Sequence, residues 1–472
     1  MGRRARPGAA AAGGELLWNT VRLAVGTVLC CAALGVGAAW LVERSSVPAR
    51  RVWHVLLVAP LAVPAFVNSY AWISLQPGLD TYAGALLVVT LSYFPFVYLP
   101  VAAAFRGLDP ALEDTARGLG LSSWAVFRRV QLPQLRVALL GGSLLVALHL
   151  LAEFGALQML RYPTFTTAIY DQYRATFNGP GATMLAGVLV LLCLGLLLAE
   201  IRLRGRRGYA RTARGAARPL RPVALRGLTA PALLALGTLV GLALVVPLGS
   251  LAYWLTSGRP ASVDWAALTT TTGTTLALAT AAAVVTTAMA LPTGWLAVRA
   301  RGRLSTLLER STYLGSSVPG IVVALALVTL SIRATPWLYQ TVPVLLAAYA
   351  ILFLPRAIVP VRSAVEQAPP LYDDVAASLG SSAPDRLRRI TLPLLAPGIG
   401  AGAALVFLAV VTELTATLLL APTGTTTLAT AFWSASSSLE YGAAAPYAVV
   451  MVLLSAPATV LLSRDARRGP TP

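Results

Sequence analysis

Apolar runs of about 20 residues recur along the whole chain and are separated by short polar segments. A run of this length matches a helix that crosses the hydrocarbon core of a bilayer. The pattern therefore predicts an all-α polytopic membrane protein with about eleven transmembrane helices. We place these helices at 21–42, 53–75, 82–105, 136–157, 182–201, 228–254, 273–298, 311–332, 341–361, 397–420 and 445–463.

The beginning of the chain and two proline pairs refine this picture. Residues 1–15 are basic and rich in Ala and Gly, but the apolar run after them is of full span length. We therefore interpret 21–42 as a first transmembrane helix, with no cleavable signal evident. The pairs Val63-Pro64 and Val318-Pro319 predict matched kinks in the second and eighth spans.

The polar segments show an internal duplication. Residues 91–133 and 351–393 align without a gap, and Gly120 and Gly380 stand 260 positions apart, as do the other matched residues. These are Pro95 and Pro355, Pro100 and Pro360, Pro110 and Pro370, Asp114 and Asp374, Ala116 and Ala376, Arg128-Arg129 and Arg388-Arg389, and Leu132-Pro133 and Leu392-Pro393. A repeated polar segment indicates two equivalent surfaces that each meet something outside the membrane.

The two halves are predicted to cross the membrane in the same direction. Span 21–42 matches span 273–298, and an even number of crossings separates them. We expect five helices in the first half and six in the second, related by a pseudo-two-fold axis along the membrane normal, which argues against inverted-repeat secondary transporters. The predicted domains are a first repeat at 1–201, an arginine-rich cytoplasmic linker at 202–227 and a second repeat at 228–472.

Composition and charge set the class and the orientation. The chain is 57% hydrophobic and 12% charged, and its net charge of +19 comes from arginine, since it has no lysine. The arginines lie in short loops, which favours membrane orientation over nucleic-acid binding. The arginine-rich loops, and with them both copies of the polar segment, are predicted to be cytoplasmic. These loops carry Arg44, Arg50 and Arg51; the arginines of 202–227; Arg299, Arg301, Arg303 and Arg310; and Arg464, Arg467 and Arg468.

The charges of the N-terminus conflict with its predicted side of the membrane. Eleven spans put the N-terminus outside, although it carries Arg3, Arg4 and Arg6. Span 228–254 has no counterpart in the first half. Either the first repeat has lost its leading helix, or this chain begins later than the functional one.

Few residues suggest chemistry of their own. The cysteines and histidines all lie at or inside spans, and their spacing is that of neither a disulfide framework nor a zinc site. A phosphate-binding P-loop needs a lysine, and this chain has none. If the chain takes part in an ATP-driven process, a partner must therefore bind and hydrolyse the ATP. We therefore predict no catalytic residues, no metal site and no cofactor.

The duplicated segment predicts a compact pair of short helices in each half. Asp109-Pro110 favours a helix start, and Gly120 supplies a left-handed end. Ser122 or Ser123 then caps a second helix, which Pro133 is expected to end. Pro370, Gly380, Ser382 and Pro393 repeat the design. We name residues 109–134 the first knob and residues 369–394 the second knob.

The knobs carry a resemblance to a known family. Asp114-Thr115-Ala116, Gly120 and Leu132-Pro133 resemble the coupling motif of permease subunits of ATP-binding-cassette importers, which runs Glu-Ala-Ala, glycine and Leu-Pro. The second copy reads Asp374-Val375-Ala376, Gly380 and Leu392-Pro393. Both copies have Asp in place of Glu, and Thr115 or Val375 in place of the first Ala.

The resemblance implies partners and a location. It implies that each knob docks on a separate ATP-binding subunit, that an extracytoplasmic solute-binding protein delivers the substrate, and that the chain lies in a bacterial plasma membrane. The segments 152–156 and 161–170 resemble fused two-copy permeases of the ferric-iron type. Thiamine, polyamine and phosphonate permeases are alternatives, and an ion-coupled secondary transporter is the rival from another class. The alternative interpretation of the knobs is that they are two ordinary cytoplasmic loops that arose by gene duplication. A membrane-embedded enzyme is a third possibility, but no catalytic motif supports it.

Two further features are candidates for function on the outer side. Glu153 and Glu413 are also 260 positions apart, and ionisable groups inside membrane segments are costly. They either line the translocation pathway or brace the outer loops of their own halves. The aromatic segment 158–181 and its twin 421–445 either form a platform for the binding protein or belong to an interfacial belt.

Overall fold

The computed structural model describes residues 9–204, 222–257, 264–299 and 318–465. In these ranges the chain is helical and contains no strand, only an isolated bridge between Ser45 and Val223. The helices of the first part are α1 (Ala9–Arg44), α2 (Arg50–Val58), α3 (Ala65–Leu75), α4 (Tyr82–Tyr93), α5 (Pro95–Arg106), α6 (Pro110–Gly118), α7 (Ser123–Val126), α8 (Leu132–Gln134), α9 (Arg136–Ala152), α10 (Gly155–Met159), α11 (Phe165–Arg174), α12 (Gly179–Arg204), α13 (Thr229–Val240) and α14 (Val246–Ser257).

The second part repeats many of these elements. Its helices are α15 (Trp265–Arg299), α16 (Gly320–Ala334), α17 (Val342–Gln367), α18 (Pro370–Ser378), α19 (Ala383–Arg386), α20 (Leu392–Val411), α21 (Thr415–Leu420), α22 (Leu428–Ser437) and α23 (Tyr441–Asp465). Short 3₁₀ segments lie at Ala59–Ala62, Arg226–Leu228 and Pro336–Leu338, and π-helical turns at Phe127–Gln131, Gly241–Val245 and Leu387–Thr391.

The all-α polytopic class is confirmed. Within the described residues, six helices are long and apolar enough to cross a membrane, or nine if each bent pair counts as one span. Two shorter apolar helices, Gly320–Ala334 and Tyr441–Pro457, coincide with the remaining predicted spans. Every predicted span thus coincides with an apolar helical segment, although part of span 311–332 lies outside the described residues. The count of eleven crossings stays a prediction.

The predicted kinks at the two Val-Pro pairs are helix starts. The axis turns by 91° between α2 and α3. Pro64 precedes α3 with φ −56° and ψ 143°, and Pro319 precedes α16 with φ −60° and ψ 142°. Proline fixes φ and has no N–H to donate, so it fits the position before the first turn. Residues 300–317, which lead to Pro319, are outside the described part.

The chain divides into two compact units, one with the described residues up to 257 and 459–465, and the other with 264–458. In the first unit α1, α5 and α9 pack together, and in the second α15, α17 and α20 do so. Glycine permits the close approach in both. A Cβ at Gly142 would lie 2.9 Å from the backbone of α5, and one at Gly402 would lie 3.1 Å from the Ala357 oxygen of α17.

The helix pair α13–α14 packs with the first unit. Helix α14 contacts α3, and the hydroxyls of Ser74 and Ser250 are 3.0 Å apart. The segment that the sequence places at the start of the second repeat therefore completes the helical packing of the first unit. The repeat boundary at 228 remains a prediction about sequence duplication, because a repeat boundary and a packing boundary need not coincide.

Candidate functional site: two coupling knobs and two glutamates

The first knob is built as its local sequence dictates. The Asp109 carboxylate accepts the N–H of Ala111 at 2.9 Å and caps α6. At the end of α6, Gly120 has φ +81°, and the N–H of Leu121 donates to the Ala116 carbonyl at 3.1 Å. This is the left-handed helix end that glycine adopts without a Cβ penalty. The Ser122 hydroxyl then accepts the N–H of Ala125 and starts α7.

The second knob repeats this geometry. Gly380 has φ +80°, and the N–H of Ser381 donates to the Ala376 carbonyl at 3.0 Å. Ser382 caps α19 by accepting the N–H of Asp385 at 3.4 Å. The sequence prediction of a glycine with positive φ between two short helices is therefore confirmed in both copies.

The expectation that the proline of the Leu-Pro pair ends the second short helix holds in one knob only. In each knob a π-helical turn follows the short helix, at Phe127–Gln131 and Leu387–Thr391, and leads directly into a segment that begins with the Leu-Pro pair. In the first knob the helical stretch Ser123–Gln134 ends one residue after Pro133, and the axis turns by 67° into α9. In the second knob the prediction for Pro393 is wrong, because Ala383–Val411 runs through it as one helix.

The motif residues divide into an exposed set and a buried anchor. Ala116 and Ala376 are buried, at 6% and 7% exposure, where each short helix packs on its own unit. The leucines before the glycines are 79% and 80% exposed in the two copies, and they form an apolar tip on each knob. The remaining motif residues are exposed except for the half-buried Leu132: Asp114, Thr115, Gly120, Pro133, Asp374, Val375, Gly380, Leu392 and Pro393.

The first knob is tied to its unit by a buried ion pair. The Arg44 guanidinium at the end of α1 pairs with the Glu113 carboxylate of α6, and their side chains are only 2% and 4% exposed. Beside this pair, Arg106 of α5 pairs with Glu43. Sequence reasoning missed this link, because the two partners are 69 positions apart and neither belongs to the coupling motif.

The second knob lacks that link. Arg299, at the end of α15, donates to the Ala368 carbonyl at 2.8 Å. Asp373 stands where the first knob has Glu113, but it pairs at 3.1 Å with Arg386 of its own knob. A cavity of about 190 Å³, lined among others by Trp295, Arg299 and Asp373, lies between the second knob and its unit. The two knobs thus have the same backbone geometry but differ in the side-chain contacts that attach each one to its unit.

Glu153 and Glu413 lie at equivalent helix breaks. Glu153 follows the last residue of α9, and its Oε1 accepts the N–H of Ala156 at 2.8 Å. The Oε1 of Glu413 accepts the N–H of Ala416, also at 2.8 Å, at the start of α21. Both side chains are half-buried. Each carboxylate therefore braces a break within its own unit, as one of the two interpretations of the sequence expects, and its role in a pathway stays a prediction.

The surroundings of the two glutamates differ. The Tyr93 hydroxyl donates to Oε2 of Glu153. The residue that corresponds to Tyr93 in the second half is Phe353, and the guanidinium of Arg356 lies over its ring at 5.2 Å. The first glutamate is hydrogen-bonded by a phenol, whereas the corresponding position of the second half has a phenylalanine with a guanidinium over its ring.

Several aromatic residues of the outer segments serve as core. Tyr162 and Phe165 are 5% and 2% exposed in the first unit, and Phe432 is fully buried in the second. Phe177, in contrast, is 87% exposed. A docking platform or interfacial belt would therefore have to use the exposed aromatics only.

Two repeats of one helical design, each with a knob of the coupling type, define a membrane permease. The sequence matches the family "Binding-protein-dependent transport system inner membrane component" twice, over residues 32–203 and 290–468. Because these matches cover most of the chain, it belongs to that family. It is an inner-membrane permease subunit of an ABC importer, which implies ATPase and solute-binding partners. This rules out the ion-coupled secondary transporter.

Similar proteins include a relative that matches nearly the full length. The Fe(3+)-transport system permease protein FbpB 2 of Haemophilus influenzae is 37% identical over 455 residues, which cover 96% of this chain and 90% of the relative. A probable ABC transporter permease, y4fN of Sinorhizobium fredii, is 28% identical over 433 residues, 81% of this chain and 74% of the relative. The sulfate transport permease CysW of Escherichia coli is 28% identical over 210 residues, 40% of this chain and 72% of the relative.

Proposed function

We propose that this chain forms both halves of the translocation unit of a ferric-iron importer. The observation that carries the proposal is the 37% identity to a ferric-iron permease over 96% of the chain. The sulfate permease, in comparison, matches only 40% of this chain. Thiamine, polyamine and phosphonate import remain the alternative substrates.

Separate ATPase subunits supply the energy by pressing on the two knobs. Each knob presents an exposed carboxylate, Asp114 or Asp374, beside an apolar tip, Leu119 or Leu379. An apolar anchor with a polar rim suits docking in a groove of a partner. Two equivalent knobs fit two ATPase subunits, and nucleotide-driven movement of the knobs alternates access to the solute from the two sides.

The substrate assignment is tested by transport. The permease, co-expressed with the ATPase and the solute-binding protein of its own organism, is reconstituted in proteoliposomes. We expect ATP-dependent uptake of ⁵⁵Fe³⁺ when the binding protein is loaded with ferric ion, and none of thiamine, spermidine, phosphonate or sulfate. Uptake of one of the other solutes in place of iron would overturn the substrate assignment and leave the permease class intact.

The docking assignment is tested at the two glycines with positive φ. A Cβ at Gly120 or Gly380 meets no atom within 4 Å, so Val there acts only through the backbone, at about 1–2 kcal/mol per site. We expect Gly120→Val with Gly380→Val to weaken co-purification of the ATPase or to uncouple ATP hydrolysis from uptake. Gly118→Val is the matched control, because Gly118 lies two positions away, has no positive φ and is equally open. Intact co-purification and uptake in the double variant would refute docking at the knobs.

A further inference from the structure

The most distinctive polar cluster of the first unit lies where two helix pairs break. Tyr93 is the last residue of α4, and α5 continues after a 42° bend. Glu153 separates α9 from α10. Helix breaks at membrane depth are tolerated where they line a cavity or a site, and transporters often place coupling ions and substrates there.

Three side chains with metal-binding atoms meet at this point. The Tyr93 hydroxyl bonds to the Glu153 carboxylate, and the His149 ring lies 6.0 Å from the Tyr93 ring, centroid to centroid. The His149 ring also packs on Phe96 at 4.3 Å. Tyr93 is buried, while Glu153 and His149 are half-buried. Phenolate, carboxylate and imidazole are all ligands of ferric ion.

The supporting contacts fix the orientation of the histidine and the glutamate. Nδ1 of His149 lies 2.9 Å from the Leu145 carbonyl, which can only accept, so Nδ1 carries the proton and Nε2 carries the lone pair. A backbone carbonyl that fixes the tautomer in this way is the usual second partner of a metal-binding histidine. Glu153 is held on both sides, by the N–H of Ala156 at its carboxylate and by the Thr166 hydroxyl at its carbonyl, 2.6 Å away.

The second unit keeps the glutamate and its bracing contacts, an N–H at the carboxylate and a threonine hydroxyl at the carbonyl, but it has neither the phenol nor the imidazole. At the equivalent positions of the second repeat, Phe353 replaces Tyr93, Ala409 replaces His149 and Arg356 replaces Phe96. The Arg356 guanidinium lies over the Phe353 ring, 5.2 Å from its centroid. A fixed positive charge at this place disfavours a trivalent cation, because like charges repel.

We propose that Tyr93, His149 and Glu153 form a transient ferric-ion site in the first half, and that Glu413 is not a ligand. This rests on the iron assignment proposed above and goes beyond it by naming an asymmetric site. Binding breaks the O–H bond of Tyr93 and forms an oxygen–iron bond. The phenol proton leaves to water, and the oxidation state of iron does not change.

Spectroscopy tests the site directly. A ferric ion bound to a phenolate absorbs visible light through ligand-to-metal charge transfer. We expect this band when citrate-buffered Fe³⁺ is added to the purified permease in nanodiscs, and we expect Tyr93→Phe to remove it. Tyr349→Phe is the matched control, since Tyr349 is a buried tyrosine of the equivalent helix in the second half and bonds to Thr417 at 2.8 Å.

Uptake measurements distinguish a cluster that binds ferric ion from one that only holds two helices together. His149→Ala installs the residue that the second half has at this position and leaves the Tyr93–Glu153 bond in place. We expect it to lower ferric uptake per assembled transporter about tenfold or more while ATPase co-purification and melting temperature are kept. If uptake falls only in proportion to the amount of folded permease, the cluster is a structural clamp and the proposal fails.

Measurements on the wild-type protein distinguish a failure of the iron assignment from a failure of the proposed site. If it imports another solute and shows neither ferric uptake nor a band, the iron assignment itself is wrong. If it imports ferric ion, and the Tyr93→Phe and His149→Ala variants do so equally fast and keep the band, the site is wrong and the iron assignment stands.

Discussion

The buried ion pair between Arg44 and Glu113 predicts that the first knob is held far more firmly than the second. In Glu113→Ala the Arg44 guanidinium keeps its burial and loses the partner of its charge. Two of its other nitrogens, Nε and Nη1, are already buried without a hydrogen-bond acceptor. Removing one partner of a buried pair costs about 3–5 kcal/mol.

The same position of the second knob supplies the matched control. Asp373 is 45% exposed, and its partner Arg386 is 24% exposed. An ion pair this open to solvent is worth about 0.2–1 kcal/mol. Asp373→Ala should therefore cost a small fraction of what Glu113→Ala costs, although the two residues occupy equivalent places in the repeat.

Amide hydrogen exchange of the two short helices measures the difference. With a tenfold change in exchange for each 1.36 kcal/mol, a loss of 3–5 kcal/mol allows α6 to exchange about 10²- to 5 × 10³-fold faster, up to the limit set by its own stability. In Asp373→Ala, α18 should change by less than about tenfold. Peptides from α11 serve as an internal reference in both variants.

A rescue variant checks the physical cause. Arg44→Met with Glu113→Leu replaces the pair by apolar side chains of similar size, which is often neutral for a buried ion pair. The protection of α6 should then return. The reasoning is refuted if Glu113→Ala and Asp373→Ala accelerate exchange equally, or if the apolar pair is as damaging as the single substitution.

The remaining predictions concern topology and the two glutamates. The arginine count predicts that a cysteine within 202–227, in a cysteine-free background, resists membrane-impermeant reagents in whole cells, while one at Ser257 reacts; the reverse order would invert the orientation. Glu153→Gln keeps an oxygen that accepts the Ala156 N–H, so it should lower ferric uptake without lowering the melting temperature. Glu413→Gln should leave uptake per folded molecule nearly unchanged, and an equal loss in both would favour a symmetric pathway.

Local features were predictable from the sequence because short-range physics determines them. The cap at Ser122, the left-handed glycines at 120 and 380, and the break before Pro64 each depend on a few neighbouring residues. The role of the Leu-Pro pair was less predictable. The helical stretch of the first knob ends one residue after Pro133, whereas in the second knob an unbroken helix runs through Pro393, although the two segments share the motif.

Contacts between distant residues were not predictable in the same way. Glu113 looked like an ordinary first-turn acid of α6, and only the packing of α1 against it reveals a buried pair. In the sequence, Tyr93 and His149 have the pattern of an interior tyrosine and a packed histidine. Only the structure shows that Tyr93 bonds to Glu153 and lies beside the His149 ring. One signal was available in the sequence. Comparing the repeats position by position shows that Tyr93 and His149 have no polar counterpart, and such unmatched polar residues could have been singled out.

Fusion of two permease repeats in one chain explains why such differences can accumulate. A permease formed from two identical subunits must place every side chain twice, so a change that suits one half is imposed on the other. Here the shared elements are backbone devices: the left-handed glycine, the π-helical turn and the broken helix that ends in a glutamate. The differences are in polar and charged side chains. Glu113 pairs with Arg44 whereas Asp373 pairs with Arg386, and Tyr93 bonds to Glu153 whereas its counterpart Phe353 lies under a guanidinium. On the function proposed above, a small cation in transit needs ligands on only one side, whereas the docking of two ATPase subunits uses both knobs. We therefore expect the backbone of the knobs to tolerate little change in either half, and the charge surroundings of the glutamates to be where the halves specialise.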